Sequence, residues 1–141
     1  MTARILTGIM LAFACAQDLG SRRVHAGMMT VIGIAAACIT LTGSPTFHTL
    51  AHIAAGALPG LGLWLLSAVT NEAVGRGDAL AVCLAGMSTG PEQILIILLA
   101  ALFLTAFAGC ILLAAGKAGK KSRLPFIPFL AAGYLFYIIF F

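Results

Sequence analysis

The chain has 141 residues, of which 62% are apolar, 9% charged and 16 glycine, with a mean hydropathy of +1.12 and a formal charge of +4. So little charge excludes a soluble domain with a polar surface and points to a polytopic membrane protein; at roughly 20 residues per crossing of a hydrocarbon core of about 30 Å, no separate soluble domain fits beside the spans. The positive charge gathers in a few loops, so it reads as a topology signal and not as a nucleic-acid footprint.

Turns rich in Gly, Ser, Pro or charge divide the chain into six apolar segments: residues 2–17, 26–41, 47–70, 79–89, 93–116 and 124–141. The fold class expected is therefore all-α, a polytopic membrane bundle of about six transmembrane helices in a single domain over residues 1–141. The first segment, with Arg4 and small residues up to Ala16, imitates an export signal. Arg22 and Arg23 behind it put the heavier charge on the side that would be exported, and Phe13 suits a lipid-modified Cys15 poorly, so it reads as a retained helix. In the third segment Pro59, between Gly56 and Gly60, predicts a kink. The fourth covers only about 16 Å at 1.5 Å per residue. It must extend back through the turn at Gly75 to Asp78, sit in a thinned patch, or be re-entrant.

Seven of the eight basic residues follow segments one, three and five: Arg22 and Arg23, then Arg76, then Lys117, Lys120, Lys121 and Arg123. By the positive-inside rule that face is cytoplasmic, with both termini outside, and the count favours segment four as a full crossing.

Only four residues are acidic, and two of them, Asp18 and Asp78, lie where an apolar run meets a polar turn. Two full crossings separate them in the chain, so both belong to the cytoplasmic face. Carboxylates in or near a membrane are costly and mark function. Two of them in a low-dielectric site tend to share a proton, one serving as base and the other as acid, a pairing able to activate water against a peptide carbonyl. The plainer alternative makes Asp18 an anchor among interfacial arginines and Asp78 a helix N-cap. Gly75 and Gly77, in Gly75-Arg76-Gly77-Asp78, favour the first reading, since they let the backbone bend and a substrate strand approach.

That Gly-x-Gly-Asp run resembles the motif of the intramembrane aspartyl proteases, and the wider pattern is similar to the type IV prepilin peptidases. The run Asp18-Leu19-Gly20-Ser21-Arg22-Arg23-Val24 matches the first family motif, Glu72-Ala73-Val74-Gly75-Arg76-Gly77-Asp78 the second, and Pro125-Phe126-Ile127-Pro128-Phe129-Leu130, with Gly133 after it, the opening of the last helix. Two positions depart: Leu80 stands where members often have lysine, and His25 where they often have proline. The chain has neither the length nor the Cys-x-x-Cys pairs of the methyltransferase region in bifunctional members, so it looks like a peptidase-only form.

The resemblance implies a membrane-embedded aspartic endopeptidase of the cell inner membrane that removes the short basic leader from prepilins or pseudopilins on the cytoplasmic side, just after a glycine. It implies Asp18 and Asp78 as the catalytic pair, Gly75 and Gly77 shaping substrate approach, Glu72 at the mouth (its plainer alternative being a solvated loop residue), and Pro125 and Pro128 as motif positions. No cofactor and no metal are implied; the partners are the pilin-like substrates and the lipid bilayer, with no nucleic acid. A non-catalytic membrane assembly subunit of a pilus or secretion system, and a small transporter, are the alternatives. Against the transporter, the segment centres carry no polar path.

Other candidates read as structural. Cys15, Cys38, Cys83 and Cys110 are taken as small buried hydrophobes, and His48 and His52, at i and i+4, as interfacial. Trp64, Tyr134 and Tyr137 are taken as packing or interface residues.

Overall fold

The computed structural model describes residues 2–21, 26–43, 46–70, 75–116 and 126–140. They form six helices in chain order: α1 (Thr2–Ser21), α2 (Ala26–Gly43), α3 (Phe47–Val69), α4 (Arg76–Thr89), α5 (Pro91–Ala114) and α6 (Ile127–Phe140). Each follows one predicted apolar segment, so the all-α expectation holds. Of the described helices, α3 and α5 are long and apolar enough to cross a membrane; α1, α2 and α6 contain shorter apolar stretches.

Two boundaries shift in a way that matters for the acids. The fourth helix begins at Arg76: it extends back through the turn and takes Asp78 into its first turn, and its 14 residues reach about 21 Å. At the other partner, α1 continues three residues past Asp18 to Ser21. Pro59 lies inside α3, which runs on through it as one helix.

The short helix is the centre of the bundle. α4 packs against α1, α2, α3, α5 and α6, and Ala79, Ala81, Val82, Leu84, Ala85, Gly86 and Ser88 along it are buried. That position explains its weak apolar signal, because a helix walled by protein needs small residues more than oily ones. Gly56 and Gly60, one turn apart on α3, press on the backbone of α4 at Gly86 and Cys83 respectively; a Cβ at either glycine would collide with it. Many large apolar side chains instead cover the outside: Leu99 is 67% and Phe103 75% exposed on α5.

The same inversion corrects one expectation. Cys38 and Cys110 are exposed and only Cys15 and Cys83 partly buried, all four being free thiols. Where both core and exterior are apolar, an apolar neighbourhood in sequence does not tell an inward cysteine from an outward one. Tyr134 and Tyr137 are buried in the core, as packing residues, whereas Trp64 is half exposed.

Candidate active site at the α1–α4 contact

Asp18 and Asp78 are positioned by a contact at the far ends of their helices. The hydroxyls of Thr7 on α1 and Ser88 on α4, both buried, are hydrogen-bonded at 2.6 Å. From Thr7 the buried stripe of α1 continues through Leu11 and Ala14 to Asp18; from Ser88 the stripe of α4 runs back through Ala85 and Ala81 to Asp78. At 1.5 Å per residue, Asp18 lies about 16 Å and Asp78 about 15 Å from the shared tie. The carboxylates thus come level at one end of an antiparallel pair. Alanine at positions 14, 81 and 85, each fully buried, keeps the two axes close along the way.

The electrostatics agree with that placement. Asp78 stands at the polar end of α4, ahead of the apolar run from Ala79 to Thr89. Its carboxyl is pushed up from 3.8 to about 6, first by burial and then by the charge of Asp18. Burial disfavours the ionised form, and a like charge nearby does the same. Asp18 is itself half-buried. A carboxyl whose proton is held up by a second carboxylate is the arrangement that divides acid and base roles between two identical groups.

The glycines act differently from the expectation. Gly75 is the N-cap of α4 with φ −63° and ψ 132°, a backbone that any residue adopts, and Gly77 lies within the helix. Among the described residues the glycines at positive φ are Gly90 and Gly116. Neither Gly75 nor Gly77 is therefore present for a special bend. A Cβ on Gly75 would sit 2.9 Å from Oδ2 of Asp78, whereas one on Gly77 would meet nothing within 4 Å. Gly75 makes room for the Asp78 carboxylate, and Gly77 leaves open space beside it. The capping alternative for Asp78 also falls away, since Gly75 is the N-cap and no side chain makes a cap hydrogen bond there.

Glu72 and Pro125 lie outside the described residues, as do Arg22, Arg23, Lys117, Lys120, Lys121 and Arg123. Pro128 is the second residue of α6, where a missing N–H costs nothing. His48 and His52 are exposed on α3, and among the described residues no three His, Cys, Asp or Glu gather as a metal site would require. The residues that reading the sequence missed are Thr7 and Ser88, whose only signal was a small hydroxyl on an apolar stripe, and Ser67, buried on the α3 face that Gly56 and Gly60 share.

A model of the type IV leader peptidase family matches residues 5–112, a stretch that holds both aspartates and all of α4. No curated protein and no solved structure is significantly similar to the chain.

Proposed function

The chain belongs to the type IV leader peptidase family, and from that premise we propose that it is a membrane-embedded aspartic endopeptidase in which Asp18 and Asp78 form the catalytic dyad. Its substrates are prepilins or pseudopilins, from which it removes the short basic leader at the cytoplasmic face of the inner membrane. The observation that carries this reading is the register set by Thr7 and Ser88, which brings both carboxylates level at one end of α1 and α4.

The chemistry needs one proton across the pair. The ionised carboxylate takes a proton from water as the water oxygen bonds to the scissile carbonyl carbon; the protonated carboxyl hydrogen-bonds to the carbonyl oxygen. On collapse the C–N bond breaks and the amine leaves with a proton delivered by the dyad, so that no covalent enzyme intermediate forms. The elevated proton affinity of Asp78 favours it as the protonated member and Asp18 as the base. Small residues around Asp78 suit the approach of an extended peptide backbone.

The membrane setting is supported by where the apolar surface lies. In a soluble protein, helices as apolar as α3 and α5 are buried, yet here most of each faces outward, and an exposed apolar surface on this scale fits lipid. The positions of the basic residues favour a multi-pass chain with its acids on the cytoplasmic side and both termini outside.

The test is co-expression with a prepilin, reading leader removal as a mass shift. Asp18→Asn and Asp78→Asn should each lower cleavage by about 10²–10⁴-fold, the range for losing a general acid or base. Cleavage at the wild-type rate by either variant would exclude the dyad.

A further inference from the structure

The residue before Asp18 is the polar Gln17, and the helical geometry of α1 says which way it faces. α1 packs against α2, α4 and α6. Gly8 marks its α6 side, since a Cβ there would sit 3.4 Å from Cε1 of Tyr134. Gln17, nine residues on, is about two and a half turns away and so faces the opposite side, in line with the buried Met10 and Ala14. With Asp18 turned to α4 and Gly8 to α6, the Gln17 edge is the one turned to α2. The side chain is partly buried there, whereas Phe13 and Ala16 on the outer arc are exposed. A side chain that merely anchored the helix end in the interface would belong on that outer arc.

Gly77 on α4 faces the same way. It lies about two turns before Leu84 and shares its side of the helix, and a Cβ on Gly33 of α2 would strike Leu84. The register fixes the level: ten residues along α1 from Thr7 and ten back along α4 from Ser88 bring Gln17 opposite Asp78, one residue from Gly77. Gln17 and Gly77 therefore border one region, on the α2 side of the α1–α4 pair and beside the acids. It is open at Gly77, where a Cβ would meet nothing within 4 Å.

A carboxamide carries donors on its nitrogen and an acceptor on its oxygen, the complement of a peptide group, and a glycine lets a second backbone come close. We propose that Gln17 binds the main chain of the substrate beside the scissile bond, its amide N–H donating to a peptide carbonyl and its Oε1 accepting from a peptide N–H, with the peptide lying over Gly77. Gln17 adds no charge to the dyad and takes no proton from it. It holds the peptide so that the scissile carbonyl stays within reach of Asp18 and Asp78. The inference rests on the peptidase reading above.

The probes are synthetic peptides of basic leader, glycine and apolar segment in which one peptide bond at a time, near the scissile bond, is replaced by an ester, exchanging N–H for O. Their binding to the full-length Asp78→Asn protein in detergent is read by the anisotropy of a dye on the leader, with Gln17 in place and with Gln17→Met, a side chain of similar size without the amide. With Gln17 one ester position should weaken binding about 3–10-fold, the range for one neutral hydrogen bond; with Gln17→Met that ester should cost little, and the intact peptide should itself bind about 3–10-fold more weakly. A merely structural Gln17 would weaken every peptide alike, so equal ester costs in the two proteins overturn the proposal. In the protein with both aspartates, Gln17→Met should raise KM for leader removal by the same factor and leave the pH dependence of kcat in place; an unchanged KM also overturns it. Position-specific ester costs in a protein that cleaves no prepilin would sink the peptidase reading and leave Gln17 a peptide-binding residue. Cleavage that needs both aspartates, without those costs, would keep the reading and sink Gln17.

Discussion

The hydrogen bond between Thr7 and Ser88 sets the register of α1 against α4, and through it the level at which Asp18 meets Asp78. A tie about 15 Å from the acids acts only through two rigid helices, and the fully buried alanines between them leave no slack for sliding. Thr7→Val keeps the shape and removes the hydroxyl. It should destabilise the bundle by about 1 kcal/mol, in the range measured for hydrogen bonds between membrane helices, and lower cleavage several-fold. Thr7→Ser should restore both. Thermal unfolding in detergent alongside leader removal checks the pair of effects; a fully stable, fully active Thr7→Val protein would show that the register is set elsewhere.

A proton shared across the proposed dyad makes a signed prediction about pH. Asp78 holds its proton up to about pH 6, so kcat/KM should fall on the alkaline side as that proton leaves. The limb in kcat should lie at higher pH, because bound substrate excludes more water. Asp18→Asn removes the smaller of the two causes. Followed by the infrared carboxyl band, the Asp78 midpoint should move toward acid in that variant yet stay above 3.8, since burial persists. A midpoint that does not move at all would mean that the two carboxylates are not neighbours.

The same displacement links Asp78 to stability. A carboxyl with a folded-state pKa above its ordinary 3.8 stabilises the fold below that value and loses the contribution as pH rises through about 6. At neutral pH the ionised, half-enclosed carboxylate is instead a cost. Asp78→Asn should therefore raise stability at about pH 7.5 by about 1 kcal/mol, allowing for solvent screening at a partly open site, and the gain should vanish near pH 4. Denaturation midpoints at the two pH values decide it; a gain that is equal at both would point to packing and not to charge.

Much of this architecture was legible because polar turns punctuate an oily chain: six apolar segments became six helices, and the family motifs marked Asp18 and Asp78. Their meeting was not legible. It depends on α1 packing against a helix three elements away, and nothing in either run names the other. Facing was equally hidden in α5 and α6, which are apolar all round, so their inward and outward sides differ by little that a hydrophobic pattern can detect. The glycines show the limit differently. Gly75 and Gly77 look alike in the motif, but a Cβ on one would touch a neighbouring carboxylate and a Cβ on the other borders empty space.

That difference separates two alanine variants. At Gly75 the backbone tolerates alanine, so the whole effect falls on the Asp78 carboxylate 2.9 Å from the new Cβ. Gly75→Ala should lower kcat about 10²-fold, the usual cost of misplacing a reacting group by about an ångström, with little loss of stability. Gly77→Ala meets no atom and replaces a helical glycine, so it should stabilise α4 by up to about 1 kcal/mol. If it also raises KM, the open space beside Asp78 is used by substrate; unchanged kinetics would assign that space to solvent. Equal effects of the two variants on kcat would contradict the geometry.

The close approach of α3 to α4 yields the last prediction, because it holds in place the helix that carries Asp78. A methyl at Gly60 would drive into the backbone of Cys83, and one at Gly56 into that of Gly86. Neither obstacle is a flexible side-chain end, so the helices themselves must separate. Gly60→Ala should cost about 1–3 kcal/mol, the scale of overpacking in a dense core. Gly62→Ala, on the same helix with nothing within 4 Å of its new Cβ, should be tolerated. Trp64 stands one turn from Gly60 on α3, so with the helices separated the tryptophan of Gly60→Ala should become more accessible to a soluble quencher while that of Gly62→Ala does not. Unfolding and quenching of the two variants side by side test the contact: equal stability would refute the tight crossing, and a destabilised Gly60→Ala with unaltered Trp64 would place the strain away from the tryptophan.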